Sequence, residues 1–516
     1  MANVRLMPRK GFERAKTGCA TCKKRKVKCD ESRPACRRCK TSGRICGGYQ
    51  APPLGSYSWE SLLQLRPSTI PSSASNSIEL RGLDFFRCIV APALTSPLGD
   101  TFWARPVCQL AIQEPATRYA VLAISSLYER FDPFSYDFSL SNEHGLAIDY
   151  YNKAMRQVAT SKHLDAGTAL LLSVLFICIE FLRGNTSSAI SHTLHGTQIL
   201  RSTLQTSPGT QISPDTAAII RHLSIFPYFF GATLSSFPPL PTPKYTGREI
   251  NTLSYAIETL DYLMSRCVRT LRAFDPFRLG AVDAAEIPNS LIVTQDELRQ
   301  ELEMWWAGFL AFKRDVKPNT ENKALGVLEV RWYVCKIWLD IASHKDELYP
   351  DKFRGQFARI VEIARHDAAS RSLAGTGRPN LFKLEMGLSP LLHFVVLKCR
   401  FLDLRLEAWE LLRTVGCARE SLWDANLMFG IGRRIIEREH GIDLSQWIAG
   451  ERVSFDHTLP SDGQRIRDSY LEEETELHVD CGGLRVTRRR ICFFVPHSGS
   501  NELRWVRDWI YLPEKS

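Results

Sequence analysis

Six cysteines crowd into twenty-eight residues, CATCKKRKVKCDESRPACRRCKTSGRIC, at Cys19, Cys22, Cys29, Cys36, Cys39 and Cys46, while the other nine of the chain's fifteen are scattered. The spacing is CxxCx6C, six residues, then CxxCx6C again. A CxxC sets two thiolates on one turn at the separation a tetrahedral zinc requires, and a third thiolate returns after a short excursion. Three ligands per half leave each metal one short. Both shells close only if each half lends a sulfur to the other, so that two zinc ions share six thiolates and two sulfurs bridge. A segment of about thirty residues cannot bury enough apolar surface to offset its chain entropy, and this one offers only Val27, Ile45 and a few alanines. Metal coordination therefore has to supply the folding free energy, on the order of 10 kcal/mol per structural zinc. Closed shells leave no open position for catalysis.

The charge is as uneven as the thiols. Residues 1–50 hold 15 Lys/Arg against 3 Asp/Glu, a net of +12, whereas the whole chain of 516 residues carries +10. The remainder is thus about −2, and a polyanion partner is expected for the cysteine segment alone. The run KKRKVK, Lys23 to Lys28, sits between the second and third cysteines and also has the composition of a short nuclear-import signal.

All six cysteines, the basic run after the second and Pro34 two residues before the fourth resemble the fungal C6 zinc binuclear cluster of DNA-binding transcription regulators. The resemblance implies that Cys19 and Cys36 bridge, that Cys22 and Cys29 complete one zinc, and that Cys39 and Cys46 complete the other. It implies, too, that Arg25 and Lys26 read a CGG triplet, which is chemically apt because guanine presents N7 and O6 to Arg or Lys donors in the major groove. Lys23, Lys24, Lys28, Arg37 and Arg38 then hold phosphates, giving affinity without sequence information.

After Cys46 comes GGYQAPPLGSYSWESLLQLRPSTIPSSASNS, a linker composition. Apolar residues then recur at three and four, which predicts helices in ELRGLDFFRCIVAPAL, in PATRYAVLAISSLYERF with Pro115 near its start, in AIDYYNKAMRQVA, and around 168–182, 186–204, 251–274, 297–313, 325–343, 353–372 and 397–414. The region from ELRGLDFF through YAVLAISSLYERF is also similar to the fungal-specific transcription-factor helical region, weakly as far as residue 440. ETELHVDCGGLRVTRRRICFFV reads as a short C-terminal β-hairpin about Gly482–Gly483. The expected organisation is a basic tail over 1–18, the zinc cluster over 19–46, a Pro/Ser-rich linker over 47–77, an all-α regulatory domain over 78–440 and an atypical segment over 441–516.

Several features carry bland expectations. Trp305, Trp306, Trp332 and Trp338 read as core, as do Cys88, Cys178, Cys335 and Cys399 in their apolar surroundings. EEETE at 472–476 reads as a solvated run rather than an acidic activation surface. His192 and His195 share a helix face without a third ligand, and HExxH, GxSxG and GxxxxGK[ST] are absent, so no enzyme is expected. The N-terminus has no apolar h-region, and ALLLSVLFICIEFL at 169–182 is short and carries Glu180. Neither a secretory signal nor a membrane span is expected. YSWESLLQLR at 57–66 is hemmed by Pro52, Pro53, Pro67 and Pro71, too short for a coiled-coil dimer beside the cluster. The composite expectation is a nuclear regulator of RNA polymerase II genes that binds double-stranded DNA through a CGG-type half-site. Its helical domain would meet the transcription machinery or co-regulators, and its targets would be a fungal biosynthetic gene cluster. The rival is a co-regulator recruited through the helical domain.

Overall fold

In the computed structural model the chain divides into two compact units, Met1–Ser73 and Ala74–Ser516. The described residues are 18–32, 34–49, 77–95, 102–132, 145–161, 164–206, 212–237, 239–240, 244–280, 282–316, 321–374, 381–445, 447, 458–479, 485–496 and 503–512. Nearly all of the expected tail, most of the expected linker with its 57–66 stretch, and the Gly482–Gly483 turn lie outside them. The first unit holds two short helices, α1 (Ala20–Lys24) and α2 (Arg37–Thr41).

The second unit is mainly helical. Its first half begins with α3 (Ser77–Phe85), which runs through a π-helical turn over Phe86–Val90 into α4 (Ala91–Leu94). A second π turn, Trp103–Val107, leads into α5 (Cys108–Gln113). Phe86 and Val90 point inward, and Cys88 between them is exposed, which corrects its expected place in the core. Cys178, Cys335 and Cys399 are buried as expected. α6 (Pro115–Glu129) opens with Pro115 where no amide is needed, and α7 (Gly145–Thr160) follows. α8 (Ala166–Arg183) starts where the Asp165 carboxylate accepts the Thr168 amide at 3.0 Å and stops at Gly184, whose φ of 67° suits a residue without a Cβ. Among the described residues it is the one helix long and apolar enough to cross a membrane. Leu170 through Leu182 are nonetheless all buried, so its apolar girth is that of a helix surrounded by protein. α9 (Thr186–Thr206) and α10 (Pro214–Leu223) complete this half.

The second half is built on α11 (Leu253–Arg278), α12 (Asn289–Asp315), α13 (Glu321–Ile341) and α14 (Arg354–Ala374). The tryptophan stripe is core, as its spacing implied: Trp305 Nε1 donates to Thr259 Oγ1 at 2.9 Å, Trp332 Nε1 to the Leu302 carbonyl at 2.9 Å, and Trp306 stacks on Trp332 at 4.2 Å. Three two-residue strands, β1 (Phe382–Lys383), β2 (Arg419–Glu420) and β3 (Trp423–Asp424), form a small sheet with β1 parallel to β2 and β2 antiparallel to β3.

The expected single helix over 397–414 is two: α15 (Leu388–Lys398) and α16 (Leu402–Leu411), parted by extended backbone at Cys399 and Phe401. Arg400, fully buried in that break, donates to the Lys398 carbonyl at 2.9 Å, satisfying a helix-end acceptor with its own side chain. α17 (Ala425–His440) begins where Asp424 accepts the amides of Asn426 and Leu427 and ends at Gly441. It includes the GIGRRI sequence, which is therefore helix rather than a phosphate loop.

The C-terminal hairpin is present and is extended by a third strand. β4 (Asp468–Val479), β5 (Arg485–Pro496) and β6 (Leu503–Leu512) form an antiparallel meander in that order, with a bulge between Leu471 and Thr475. Ile491, Phe493, Ile510 and Leu512 pack against Ile435 of α17. The acidic run lies in β4. Its Glu476 meets Arg488 at 3.1 Å in cross-strand register and Glu472 meets Arg507 at 3.2 Å, so part of the run is paired rather than simply solvated.

A sealed ion network joins this sheet to the helices. Glu439 receives Arg400 at 3.1 Å and Arg405 at 2.7 Å, all three side chains at 0% exposure, together with the Ile466 amide at 2.8 Å. Burial alone would raise the Glu439 pKa, but the two guanidinium groups hold it down at about 2. A carboxylate depressed in the folded state stabilises it above the unfolded pKa, near 4.5, and that stability is lost as pH falls towards 2. Glu439→Gln leaves the buried Arg405 without its carboxylate and Arg400 with Glu347 alone, and it should cost about 3–5 kcal/mol as read from urea unfolding at neutral pH. The cost should shrink when the same comparison is made below pH 3.

Candidate metal centre and nucleic-acid interface

The two halves of the cysteine segment repeat one local device. Each helix opens on a cysteine that is its N-cap: Cys19 Sγ accepts the Cys22 amide at 3.3 Å, and Cys36 Sγ accepts the Cys39 amide at 3.3 Å. A CxxC thus makes one capped turn with both sulfurs on the same side. The two turns face each other. Cys19 Sγ lies 3.7 Å from Cys36 Sγ and 3.8 Å from Cys39 Sγ, while Cys22 Sγ lies 3.7 Å from Cys36 Sγ and 3.9 Å from Cys39 Sγ. A Zn–S bond of about 2.3 Å gives a tetrahedron edge of about 3.8 Å, so the sulfurs stand at the separation such an ion imposes. Four thiolates of this kind suit zinc.

The remaining two cysteines flank this group. Cys29 Sγ forms a second close set with Asp30 and Cys36, and it accepts the amides of Cys19 at 3.5 Å and Glu31 at 3.4 Å. Cys46 is half-buried and interacts with Cys19 and Cys36. Burial, then the Cys19 thiol, pushes Cys22 up to about 12, and burial drives Cys36 higher still. Cys29 runs the other way: against the effect of burial, those amides and the Tyr49 hydroxyl hold it down at about 7. Thiols packed this closely ionise together only around a cation.

The basic run emerges from α1. Lys23, Lys24, Lys26 and Lys28 are exposed, as are Arg37 and Arg38 at the start of α2. Arg25 is half-buried, its Nη1 donating to Ser42 Oγ of the second half at 3.1 Å. Lys26 takes left-handed backbone, φ 56°, where the chain turns out of the helix. Arg38 donates to the Lys28 carbonyl at 3.3 Å, linking the two basic stretches.

Three supporting residues escaped the sequence reading. Asp30 accepts the amides of Arg37 at 3.0 Å and Arg38 at 3.1 Å, capping α2 from outside its own helix. Thr21 bonds the Ile45 carbonyl at 3.1 Å and receives the Gly47 amide at 2.8 Å, and Tyr49 donates to the Ser32 carbonyl at 2.9 Å. A carboxylate six residues before a CxxC was the available signal for Asp30. His192 and His195 form no pair: His192 Nε2 meets the Tyr151 hydroxyl at 2.7 Å and His195 is exposed.

Residues 17–55 match the family described as the fungal Zn(2)-Cys(6) binuclear cluster domain, and residues 81–331 match the fungal specific transcription factor domain. The chain thus carries both domains of the fungal zinc-cluster transcription regulators, and the first implies zinc and DNA binding. Among curated relatives, the aspercryptin biosynthesis cluster-specific transcription regulator atnN of Emericella nidulans is 30% identical over 216 residues, 36% of this chain and 35% of that one. Transcription regulator lscL of Purpureocillium lilacinum is 25% identical over 392 residues, 66% of this chain and 90% of that one. The Zn(2)-C6 fungal-type transcription factor afumD of Aspergillus fumigatus is 34% identical over 128 residues, 23% of this chain and 34% of that one. The chain thus spans about a third of the length of two of these relatives and most of the other. No solved structure matches the chain at a significant level.

The Asp30 cap gives a direct test of the local architecture. Asp30→Ala should release zinc to a competing chelator about fivefold more readily than the wild type, and Asp30→Asn should restore most of the difference, because an amide oxygen still accepts from one backbone N–H.

Proposed function

We propose that the chain is a nuclear, sequence-specific DNA-binding regulator of RNA polymerase II genes whose cluster carries two zinc ions. Cys19 and Cys36 bridge, Cys22 and Cys29 complete one ion, and Cys39 and Cys46 complete the other. The observation that carries this reading is that Cys19 and Cys36, the proposed shared pair, stand 3.7 Å apart with Cys22 3.7 Å from Cys36 and Cys39 3.8 Å from Cys19, supported by Cys29 and Cys46 standing against Cys36 and Cys19. The four CxxC sulfurs alone would fill one shell; six with two shared fill two. The ions supply structure, and the protein's own cations meet the DNA.

Arg25 and Lys26 read the bases of a CGG-type half-site, and Lys23, Lys24, Lys28, Arg37 and Arg38 hold phosphates. The exposure of Lys23, Lys24, Lys26, Lys28, Arg37 and Arg38 leaves all six accessible to DNA. Arg25 spends one donor on Ser42 and keeps others free to form a fork on guanine. The helical unit meets the transcription machinery or co-regulators, and the genes controlled form a biosynthetic cluster. That last step is supported by a relative named as the regulator specific to the aspercryptin biosynthesis cluster.

Elemental analysis of the purified full chain should give two zinc ions, and a chelator should abolish DNA binding; one ion per chain would refute the shared-sulfur arrangement. Base reading is separable from backbone effects at position 26, because glycine suits the left-handed conformation that lysine is forced into there. Lys26→Gly and Arg25→Ala should each cost about 1–3 kcal/mol on CGG-containing DNA and little on scrambled DNA. Lys23→Ala should weaken both alike, as competition binding at fixed salt would read.

A further inference from the structure

A cleft of about 180 Å³, partly open to solvent, lies in the larger unit, lined in part by α11, α13, α15 and the first residue of β4. Four aromatic rings stand in its wall. Phe229 stands 5.4 Å from Trp338 and 5.5 Å from Trp423, and Trp338 stands 5.9 Å from Phe394. Val268 and Leu391 are among the aliphatic residues that complete the apolar lining. An apolar cavity of about 150 Å³ is large enough to hold benzene, so this one fits a single aromatic ring with a substituent.

The polar part of the wall decides the charge of what fits. Arg272 and Arg278 both bind Asp275, at 3.0 and 2.7 Å; Lys398 binds Glu347 at 2.6 Å; Arg467 binds Asp462 at 2.8 Å. Asp275 serves both arginines and Glu347 is shared with Arg400, but Asp468 adds a further carboxylate to the wall. Four cations are thus faced by Asp275, Glu347, Asp462 and Asp468, and an entering anion meets negative charge as well as positive. His393 differs. Its Nδ1 is buried with no hydrogen-bond partner among the described residues, and burial lowers its pKa to about 4, which leaves a neutral ring at pH 7 with one donor and one acceptor. A buried polar atom without a partner is destabilising, and a ligand that supplies the partner recovers that cost.

We propose that this cavity is an effector site for a small, uncharged aromatic molecule bearing one hydroxyl or N–H group, its ring held among Phe229, Trp338, Phe394 and Trp423 and its polar group bonded to His393. Because the wall draws on helices from the core and on Arg467 and Asp468 at the start of the C-terminal sheet, an occupant adds contacts between the two. Binding therefore stabilises the sheet's attachment.

The test uses the full chain with phenol, benzene and benzoate as probes. Calorimetry on the wild type should give one saturable phenol site per chain, a rise in thermal midpoint, and affinity about tenfold above that for benzoate. In His393→Leu, phenol should fall to the level of benzene while benzene still binds. Leu391→Trp, which fills the cavity, should abolish binding of both; if that variant does not melt cooperatively, Val268→Phe takes its place. Absence of saturable phenol or benzene binding to the wild type at millimolar concentration overturns the proposal. Benzoate binding more tightly than phenol, or a folded cavity-filled variant that binds phenol unchanged, overturns it equally.

Discussion

Glu439 is the point on which the C-terminal half of the larger unit hangs. One carboxylate, closed off from water, is shared by Arg400 from the break between two helices, by Arg405 from the helix that follows, and by the amide of Ile466 just ahead of the sheet. Arg400 reaches on to Glu347, which also holds Lys398. Arg465, buried nearby, clamps Asp351 and the Glu347 carbonyl. Ionic groups taken this far out of water are held by their opposite charges, although Arg405 Nη1 makes its ion-pair contact without a well-formed hydrogen bond. The helices and the sheet are consequently fixed in relation to one another by charge as much as by apolar packing.

The small unit confronts the same difficulty and answers it differently. It gathers like-charged ligands rather than opposite ones, and among the described residues no buried Lys or Arg stands beside its cysteines to neutralise them. Its surroundings are arranged to make a cation the answer: backbone amides support Cys29, sulfur atoms cap both helices, and Asp30, Thr21 and Tyr49 tie the returning chain around them. A segment with Val27 and Ile45 facing solvent has no apolar interior to fall back on. In the large unit counter-ions are built into the sequence; in the small one they are taken from the medium.

How much of this was legible in the sequence follows from where the information is local. The CxxCx6C repeat, the basic run and the helix-forming periodicity of α6 to α9 are all properties of short windows, and each was read in nearly its true place. The division at Cys399–Phe401 was not, because Leu402, Leu406 and Trp409 continue a helical spacing and only the distant Glu439 and Glu347 give Arg400 a reason to leave the helix. α15 and α17 went unread for a related reason: Leu388–Lys398 is apolar nearly all round, and the charged residues of α17 find partners such as Asp508 seventy-four positions later. The cavity was invisible, since Phe229, Trp338, His393 and Arg467 come together only when four separate segments are placed. At the cluster itself, the sulfurs were legible and their hydrogen-bonded scaffold was not.

The sulfur caps have a chemical corollary. Cys19 and Cys36 each accept the amide that starts a helix, and a thiolate accepts such a bond far better than an alkylated or oxidised sulfur does. The first turn of the helix carrying Lys23 and Lys24 is thus tied to the electronic state of an atom that none of its basic residues touches. A change in the state of that buried sulfur would be transmitted as a change of backbone shape before any contact surface was itself modified.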